Sequence, residues 1–282
     1  MKPQYLLAID QGTTSSRAII FTVGGELIAS ASEEFAQLYP HDGWIEHDPK
    51  VIWQTTLASC RQVLTKSELT AKDVAAIGIT NQRETTIVWD KNTGEAIYNA
   101  IVWQDRRTAK RCAVLQQNAE ISAKVTAKTG LLIDPYFSAS KIEWLLDNVA
   151  GARTKAEAGQ LCFGTVDTFL LWHLTAGKEF ATDASNASRT LLFNIVENCW
   201  DQELLALFNI PQAMLPEVKN SADDFGQTAP KYFGESIAIN AMIGDQQASL
   251  VGQACFEKGM MKGTYGTGCF VMVNTGSEII YS

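Results

Sequence analysis

The sequence has 282 residues, of which 46% are hydrophobic and 19% charged, and its formal net charge is −8 at pH 7. This balance is typical of a folded globular protein and excludes a largely disordered chain. Nucleic acid is excluded as a partner, because binding a phosphate backbone requires a basic face and the chain has no Lys/Arg cluster.

The amino-terminal part of the chain predicts strands and one helix. An apolar run over 5–10 ends at a loop of Gly, Thr and Ser, and an apolar, β-branched pattern resumes over 17–23. These segments predict a hairpin, and a two-glycine turn leads to a third strand over 26–32. Asp48 followed by proline marks a helix start, and apolar residues at helical spacing extend that helix over about 50–65.

The remaining elements alternate between strand and helix patterns. Strands are predicted at 74–80, 86–89, 97–98, 161–166, 241–243, 261–264 and 269–273, and helices at 167–175 (capped by Asp167), 201–208 and 246–251. Between 105 and 149 the pattern is helical, with a helix end at Gly130, which predicts a helical insert. The alternation indicates the α/β class, with a mixed sheet flanked by helices.

Cysteine and histidine patterns suggest no metal site. The six cysteines stand far apart, without metal-ligand spacing, so we expect core thiols in a reducing compartment. His41, His47 and His173 form no ligand-spaced cluster, and we interpret all three as structural. Neither a signal peptide nor a membrane span is predicted, so we expect a cytoplasmic protein.

The loop after the first strand has the composition of a phosphate-binding turn. Its candidate residues are Asp10, Gly12, Thr13, Thr14, Ser15 and Arg17. Glycine permits a tight turn, successive amides and hydroxyls can bind phosphate oxygens, and arginine adds a cation. Asp10 can hold Mg²⁺ through water, because this hard cation prefers carboxylate and phosphate oxygens. An ordinary hairpin would explain the loop equally well, but a second Gly-Thr turn over 263–268, with Gly266 and Thr267, favours two loops that clamp a polyphosphate.

These motifs resemble those of a known family. The segments at 10–15 and 263–268 resemble the two phosphate motifs of the sugar kinase branch of the actin-like ATPase superfamily (FGGY carbohydrate kinases). The segments NQRET at 81–85, WQDRR at 103–107 and GDQQA at 244–248 are similar to those of glycerol kinases in particular. The resemblance spans essentially the whole chain. It implies a ribonuclease H-like (actin-like ATPase) domain that uses ATP and Mg²⁺ to phosphorylate glycerol.

The substrate side is predicted from the residues and from the resemblance. Arg83 offers planar donors and Glu84 a pair of acceptors, which suits vicinal hydroxyls, although the dipeptide alone is more typical of a surface ion pair. Trp103 and Tyr136 can supply an apolar wall and a hydroxyl, although each alone is more often a core residue. The resemblance implies a substrate site formed by Arg83, Glu84, Trp103, Tyr136, Asp245, Gln246 and Phe270.

Asp245 is the predicted catalytic base. It would accept the proton of the hydroxyl that attacks the γ-phosphorus, in a direct in-line transfer. Gly-Asp before an apolar helix is also typical of an N-cap, and the two roles are compatible.

The resemblance also implies a longer protein than this chain. We expect residues 1–253 to form an amino-terminal ATPase domain with the substrate site and first phosphate loop, and 254–282 to begin an incomplete carboxy-terminal ATPase domain. We expect the 282-residue chain to be inactive alone and the full-length protein to be a homo-oligomer.

Two regulatory features of glycerol kinases are missing from the sequence. Residues 231–237 hold one glycine and no arginine where a loop for fructose 1,6-bisphosphate is expected, and 212–245 contain no histidine for phosphorylation by a phosphocarrier protein. We therefore expect neither form of regulation.

Two alternatives to the predicted function stay open. One is a kinase of the same family for another polyol or ketose, and the other is a non-catalytic module that binds glycerol.

Overall fold

A computed structural model describes residues 4–265 and 268–280. The strands are β1 (Tyr5–Gln11), β2 (Ser15–Thr22), β3 (Leu27–Glu34), β4 (Glu46–His47), β5 (Val74–Asn81), β6 (Ile87–Asp90), β7 (Ala100–Ile101), β8 (Leu161–Gly164), β9 (Ala181–Asp183), β10 (Phe193–Asn194), β11 (Cys199–Trp200), β12 (Glu217–Lys219), β13 (Ile239–Gly244), β14 (Met261–Tyr265) and β15 (Cys269–Val273). The helices are α1 (Pro49–Lys66), α2 (Ala109–Gln116), α3 (Ala119–Thr129), α4 (Ser138–Asn148), α5 (Ala152–Glu157), α6 (Val166–Leu174), α7 (Ala184–Ala187), α8 (Gln202–Leu207), α9 (Pro230–Phe233) and α10 (Asp245–Gly252), with 3₁₀ turns at Ala71–Asp73 and Gln212–Met214.

A five-stranded mixed sheet in the order β13-β5-β1-β2-β3 organises the molecule. The hairpins β1-β2 and β2-β3 are antiparallel, whereas β5 and β13 add in parallel on the other side. Gln11 pairs with Asn81, and Asn81 pairs with Gly244. Because parallel strands end at the same edge, the segments that follow β1, β5 and β13 meet there. Ligands of open α/β sheets bind in the crevice outside these carboxyl ends. The α/β class and the mixed sheet are confirmed.

Helices cover this sheet and enclose the first hydrophobic core. The side chains of Leu7, Ile9 and Ile79 on the strands pack with Ile52 of α1 and Leu170 of α6, and all five are at most 1% exposed. Helix α1 begins as predicted: the Asp48 carboxylate accepts the amide of the second helical residue at 2.8 Å, and proline occupies the first position.

The predicted helical insert is present as α2, α3 and α4, which enclose a second core together with α5 and α8. Helix α3 ends at Gly130, whose φ of 69° is left-handed, as expected for a C-terminal glycine. A buried arginine joins this block to β4: Arg107 contacts Glu46 at 2.7 Å and Asp105 at 2.8 Å. Its guanidinium carbon lies 3.9 Å from the ring centre of Trp44 and 4.6 Å from that of Trp144. Because its side chain is fully buried and paired with carboxylates, Arg107 stabilises the fold and is not exposed to a ligand.

Three local predictions were wrong. Asp167 does not cap α6: Thr165 is the cap residue and Asp167 lies in the first turn, fully buried. Its carboxylate accepts from the Thr182 hydroxyl at 2.7 Å, and burial raises its pKa to about 6. The strand predicted at 97–98 is a bend, because only the Ala96 bridge pairs there. Cys199 is one of two exposed cysteines, the other being on β15, whereas the other four are buried as expected.

The hairpin β14-β15 forms a separate two-stranded sheet. Within 4–265 and 268–280 it pairs with no strand of the five-stranded sheet, and it exposes Met261, Tyr265 and Val271. The division of the chain at 253 stays a prediction. The described part of the chain contains no helix long and apolar enough to cross a bilayer.

The buried imidazole of His47 predicts a pH-dependent stability. Burial lowers its pKa to about 4 in the folded protein, so the unfolded chain binds a proton more readily below the ordinary value of 6.5. The contribution of His47 to the free energy of unfolding is therefore complete above pH 6.5. It is lost as the pH falls from 6.5 through 4, by up to about 3 kcal/mol. Urea denaturation of the wild type and His47→Gln from pH 7 to pH 4 checks this. The variant should show the shallower decline, and the exposed His41→Gln should match the wild type; equal slopes for wild type and His47→Gln would contradict the prediction.

Candidate active site

The segments after β1 and β5 are held together by one buried glutamine. Gln82 donates from Nε2 to Oε1 of Gln11 and to the carbonyl of Gly12, both at 3.0 Å. Its Oε1 accepts from the hydroxyl of Thr85 at 2.9 Å. The predicted phosphate loop and the predicted substrate loop are therefore one hydrogen-bonded unit. This role of Gln82 was not predicted from the sequence, where the available signal is a polar residue directly after a buried strand.

A cavity of about 140 Å³ opens above this unit. Its lining includes every predicted substrate residue, namely Arg83, Glu84, Trp103, Tyr136, Asp245, Gln246 and Phe270. Thr13, Gln82, Thr264 and Gly268 complete it. The volume is below the roughly 300–1,000 Å³ of pockets for drug-sized ligands, so a molecule of a few carbon atoms fits better than a nucleotide. Wider surface hollows, of about 470 and 590 Å³, contain none of the predicted site residues.

Arg83 is buried beneath this cavity and paired with Asp245. Nε of Arg83 lies 3.0 Å from Oδ1 of Asp245, a distance typical of an ion pair, although the N–H does not point along a hydrogen-bond direction. Nη1 donates to Oε1 of Gln247 at 3.2 Å. The guanidinium carbon lies 5.9 Å from the centre of the Phe270 ring. Arg83 is thus fixed by contacts with α10 and β15, with 4% of its surface exposed.

Asp245 occupies the first position of α10 rather than its N-cap. Gly244 is the cap residue, and the Asp245 carboxylate accepts the amide of Gln246 at 2.6 Å. The carboxylate therefore lies at the positive end of the helix, where a negative charge is stabilised. Its side chain is 39% exposed, toward the cavity, so a ligand can reach it.

Glu84 is the centre of a strained three-residue turn. The amide of Thr85 donates to the carbonyl of Arg83 at 2.7 Å, and φ of Glu84 is 61°. A γ-turn with positive φ is the rare, strained class, and such a residue costs about 1–3 kcal/mol. The surroundings offset this cost: the Glu84 carbonyl accepts from the hydroxyls of Thr86 and Ser138, each at 3.1 Å. The turn directs a buried carboxylate into the cavity wall.

Aromatic side chains form the opposite wall. The ring of Trp103 meets those of Tyr136 and Phe270 edge to face, with centroid distances of 5.6 and 6.3 Å. Its indole Nε1 donates to the Thr13 hydroxyl at 3.1 Å, which joins the aromatic wall to the phosphate loop. Burial, reinforced by the charge of Glu84, raises the pKa of Tyr136 to about 12. The phenol therefore stays protonated at neutral pH and remains a hydrogen-bond donor.

The loop after β1 offers fewer amides than its sequence suggests. The amide of Gly12 donates to the carbonyl of Ser15 at 2.9 Å, so it closes the turn and is not available to a ligand. Ser15 already belongs to β2. Within the described residues the amides of Thr13 and Thr14 have no acceptor. These two amides are the ones that can bind a phosphate.

Asp10 and Arg17 face each other across β1 and β2. Burial raises the pKa of Asp10; Arg17 opposes this change and the nearby charge of Asp245 adds to it. The carboxylate of Asp10 is the kind of oxygen ligand that a divalent cation such as Mg²⁺ prefers. The predicted phosphate residues Gly266 and Thr267 lie outside the described residues.

Two cations that the sequence did not reveal, Lys262 and Arg189, contact residues that line the cavity. Lys262 of β14 is buried and donates to Oε1 of Gln246 at 2.7 Å and to the Thr264 hydroxyl at 2.6 Å. Burial lowers its pKa, while the charge of Asp245 acts in the opposite direction. In the sequence, the only signal for Lys262 is that it is a single lysine in an otherwise uncharged hairpin. The second cation, Arg189, contacts Glu84.

Gly244 predicts a packing constraint. A Cβ added there would lie 2.6 Å from Cδ of Arg83, although the backbone, with φ of −61°, would accept alanine. Gly244→Ala should therefore lower the free energy of unfolding by about 1–3 kcal/mol through overpacking. Urea denaturation measures this.

Gly252→Ala, at the other end of α10, is the matched control. No atom lies within 4 Å of the added methyl group. This variant should be neutral or gain up to about 1 kcal/mol, because alanine favours a helix. Equal stability of the two variants would refute the close approach of Arg83.

Comparisons with known proteins identify the family of this chain. Residues 5–252 match the model of the N-terminal domain of the FGGY family of carbohydrate kinases. The glycerol kinase of Allorhizobium ampelinum is 59% identical over 99% of this chain and 56% of its own length. Glycerol kinase 1 of Pseudomonas aeruginosa is 61% identical over the same shares.

A solved structure gives the same result for the fold. The crystal structure of Plasmodium falciparum glycerol kinase with ADP superposes with a TM-score of 0.93 and 37% identity, over 100% of this chain and 56% of that chain. The chain thus spans about half the length of the curated relatives that it matches. The matched family model and the fold show that this chain belongs to the FGGY family of carbohydrate kinases and contains their N-terminal domain.

Proposed function

We propose that the protein containing this chain transfers the terminal phosphate of ATP to glycerol. The supporting observation is the cavity of about 140 Å³, in which all seven predicted substrate residues meet. It combines an acceptor, two kinds of donor and an aromatic wall in a volume that suits a three-carbon polyol. The relatives at 59–61% identity are glycerol kinases, which supports the same substrate.

In this proposal each wall of the cavity binds a different part of glycerol. Arg83 and Tyr136 donate to hydroxyl oxygens, and Glu84 accepts from a hydroxyl group. Trp103 and Phe270 contact the carbon atoms. Held in this way, glycerol presents one hydroxyl to the phosphate, and correct positioning of two reactants supplies a large part of the rate of phosphoryl transfer.

Asp245 would act as the general base. Its exposed carboxylate borders the cavity and accepts the proton as the substrate oxygen attacks phosphorus. The oxygen–phosphorus bond forms while the bond from the γ-phosphorus to the ADP oxygen breaks, and the electron pair leaves with ADP. Arg83, at 3.0 Å, keeps the carboxylate directed toward the cavity.

The phosphate side would use the amides of Thr13 and Thr14 together with Arg17. Asp10 would hold Mg²⁺, which neutralises charge on the transferred phosphoryl group when bound. We further propose a cytoplasmic location, where ATP is available and the six free thiols would stay reduced.

Replacing the proposed base separates binding from chemistry. In the full-length protein, Asp245→Asn should leave the Kd for glycerol within a few-fold of the wild type and reduce kcat by about 10²–10⁴. Calorimetry and a coupled ADP assay measure the two quantities. The exposed Asp42→Asn is a control with unchanged kcat. An unchanged kcat in Asp245→Asn would remove Asp245 from the base role.

Substrate preference tests the identity of the polyol. The kcat/KM of the full-length protein should be highest for glycerol, lower for erythritol and lowest for xylulose, because the cavity is small. A higher value for either longer substrate would contradict glycerol as substrate but leave the kinase class intact. Glycerol binding without turnover on any of the three would favour a non-catalytic module.

A further inference from the structure

Arg189 lies just beyond the substrate cavity and contacts one of its walls. Its Nε donates to Oε1 of Glu84 at 2.6 Å, a short, charge-assisted hydrogen bond. The side chain of Glu84 is 2% exposed and that of Arg189 is 21% exposed. Arg189 does not line the cavity, so any effect that it has on a ligand passes through a neighbour that does, either Glu84 or Tyr136.

The position of Arg189 is fixed on three sides. Its guanidinium carbon lies 4.9 Å from the ring centre of Phe137 and 5.7 Å from that of Tyr136, which are cation–π distances. Its backbone amide donates to the carbonyl of Asn186 at the end of α7, at 3.0 Å. The guanidinium is therefore held before any ligand arrives, and it offers a preset orientation to the carboxylate.

Helix α7 connects this arginine to the turn before α10. The carboxylate of Asp183 accepts the amides of Ser185 and Asn186 and so caps the helix. The hydroxyl of Ser185 accepts the amide of Gly244 at 2.8 Å, directly before the proposed base. One short helix thus supports Gly244 on one side and, through Arg189, Glu84 on the other.

We propose that Arg189 is a positioning residue that determines glycerol affinity by fixing the Glu84 carboxylate as an acceptor for one substrate hydroxyl. The inference rests on the proposed function, because it needs glycerol in the cavity. The strained turn makes this support necessary: with φ at 61°, Glu84 lies in a sparsely populated conformation, and hydroxyls hold only its carbonyl. The ion pair with Arg189 holds the other end of the residue. A carboxylate with one oxygen occupied keeps the second free to accept a hydrogen bond from a ligand.

The test is a double-mutant cycle on glycerol affinity in the full-length protein. Arg189→Met should weaken glycerol binding at least ten-fold, and Glu84→Gln should weaken it to a similar degree. If Arg189 acts through Glu84, the double variant binds no worse than Glu84→Gln alone. Arg189→Lys keeps the charge but lacks the Nε donor, so its affinity should be intermediate. It also keeps the test valid if Arg189→Met does not fold.

Arg111 supplies the matched control. It pairs with Glu143 through two hydrogen bonds of 2.9 Å, away from the cavity, and Arg111→Met should leave glycerol affinity unchanged. Wild-type affinity in Arg189→Met, or an equal loss in the presence and absence of Glu84→Gln, would overturn the inference while the proposed function stands. A wild-type protein that binds no glycerol would refute the proposed function and this inference together.

Discussion

The candidate site depends on the parallel alignment of β1, β5 and β13. Their last residues, Gln11, Asn81 and Gly244, occupy one row of the sheet, so three chain segments distant in sequence leave it at the same point. A shift of one residue in either pairing would turn every following side chain to the opposite face. The side-chain amides of Asn81 and Asn186 exchange two hydrogen bonds, of 3.0 and 3.1 Å, which connect this row of the sheet to α7.

Charge at the site follows from burial. Arg83, Glu84 and Lys262 each have less than a tenth of their surface exposed, and each is paired or hydrogen-bonded: Arg83 with Asp245, Glu84 with Arg189, Lys262 with Gln246. Buried charges without such partners carry a large desolvation cost, so these contacts stabilise a polar cavity in the folded chain before any ligand is present. The same arrangement fixes which oxygen and nitrogen atoms remain free for a ligand.

Sequence patterns predicted most of the secondary structure and the members of the cavity, because both depend on local spacing or on motifs. The cap of α1 and the end of α3 at Gly130 follow from single residues whose chemistry decides the local backbone. What could not be predicted depends on distant partners. Gln82 holds a loop 70 residues away, Arg189 contacts Glu84 over 105 residues, and the γ-turn at Glu84 has no glycine to mark it. Asp167 was misassigned as a cap because one of its partners, the buried hydroxyl of Thr182, lies 15 residues further along the chain.

The close packing of Gly244 against Arg83 has a consequence for redesign of the cavity. Because a methyl group at Gly244 would collide with Cδ and Cγ of Arg83, Arg83 and the turn before α10 can only be altered together. The aromatic wall contains no ion pair, and Phe270 borders the cavity directly and meets Trp103 at a centroid distance of 6.3 Å. Enlargement for a longer polyol should therefore begin at Phe270, where shortening a side chain adds volume and removes neither partner of the Arg83–Asp245 ion pair.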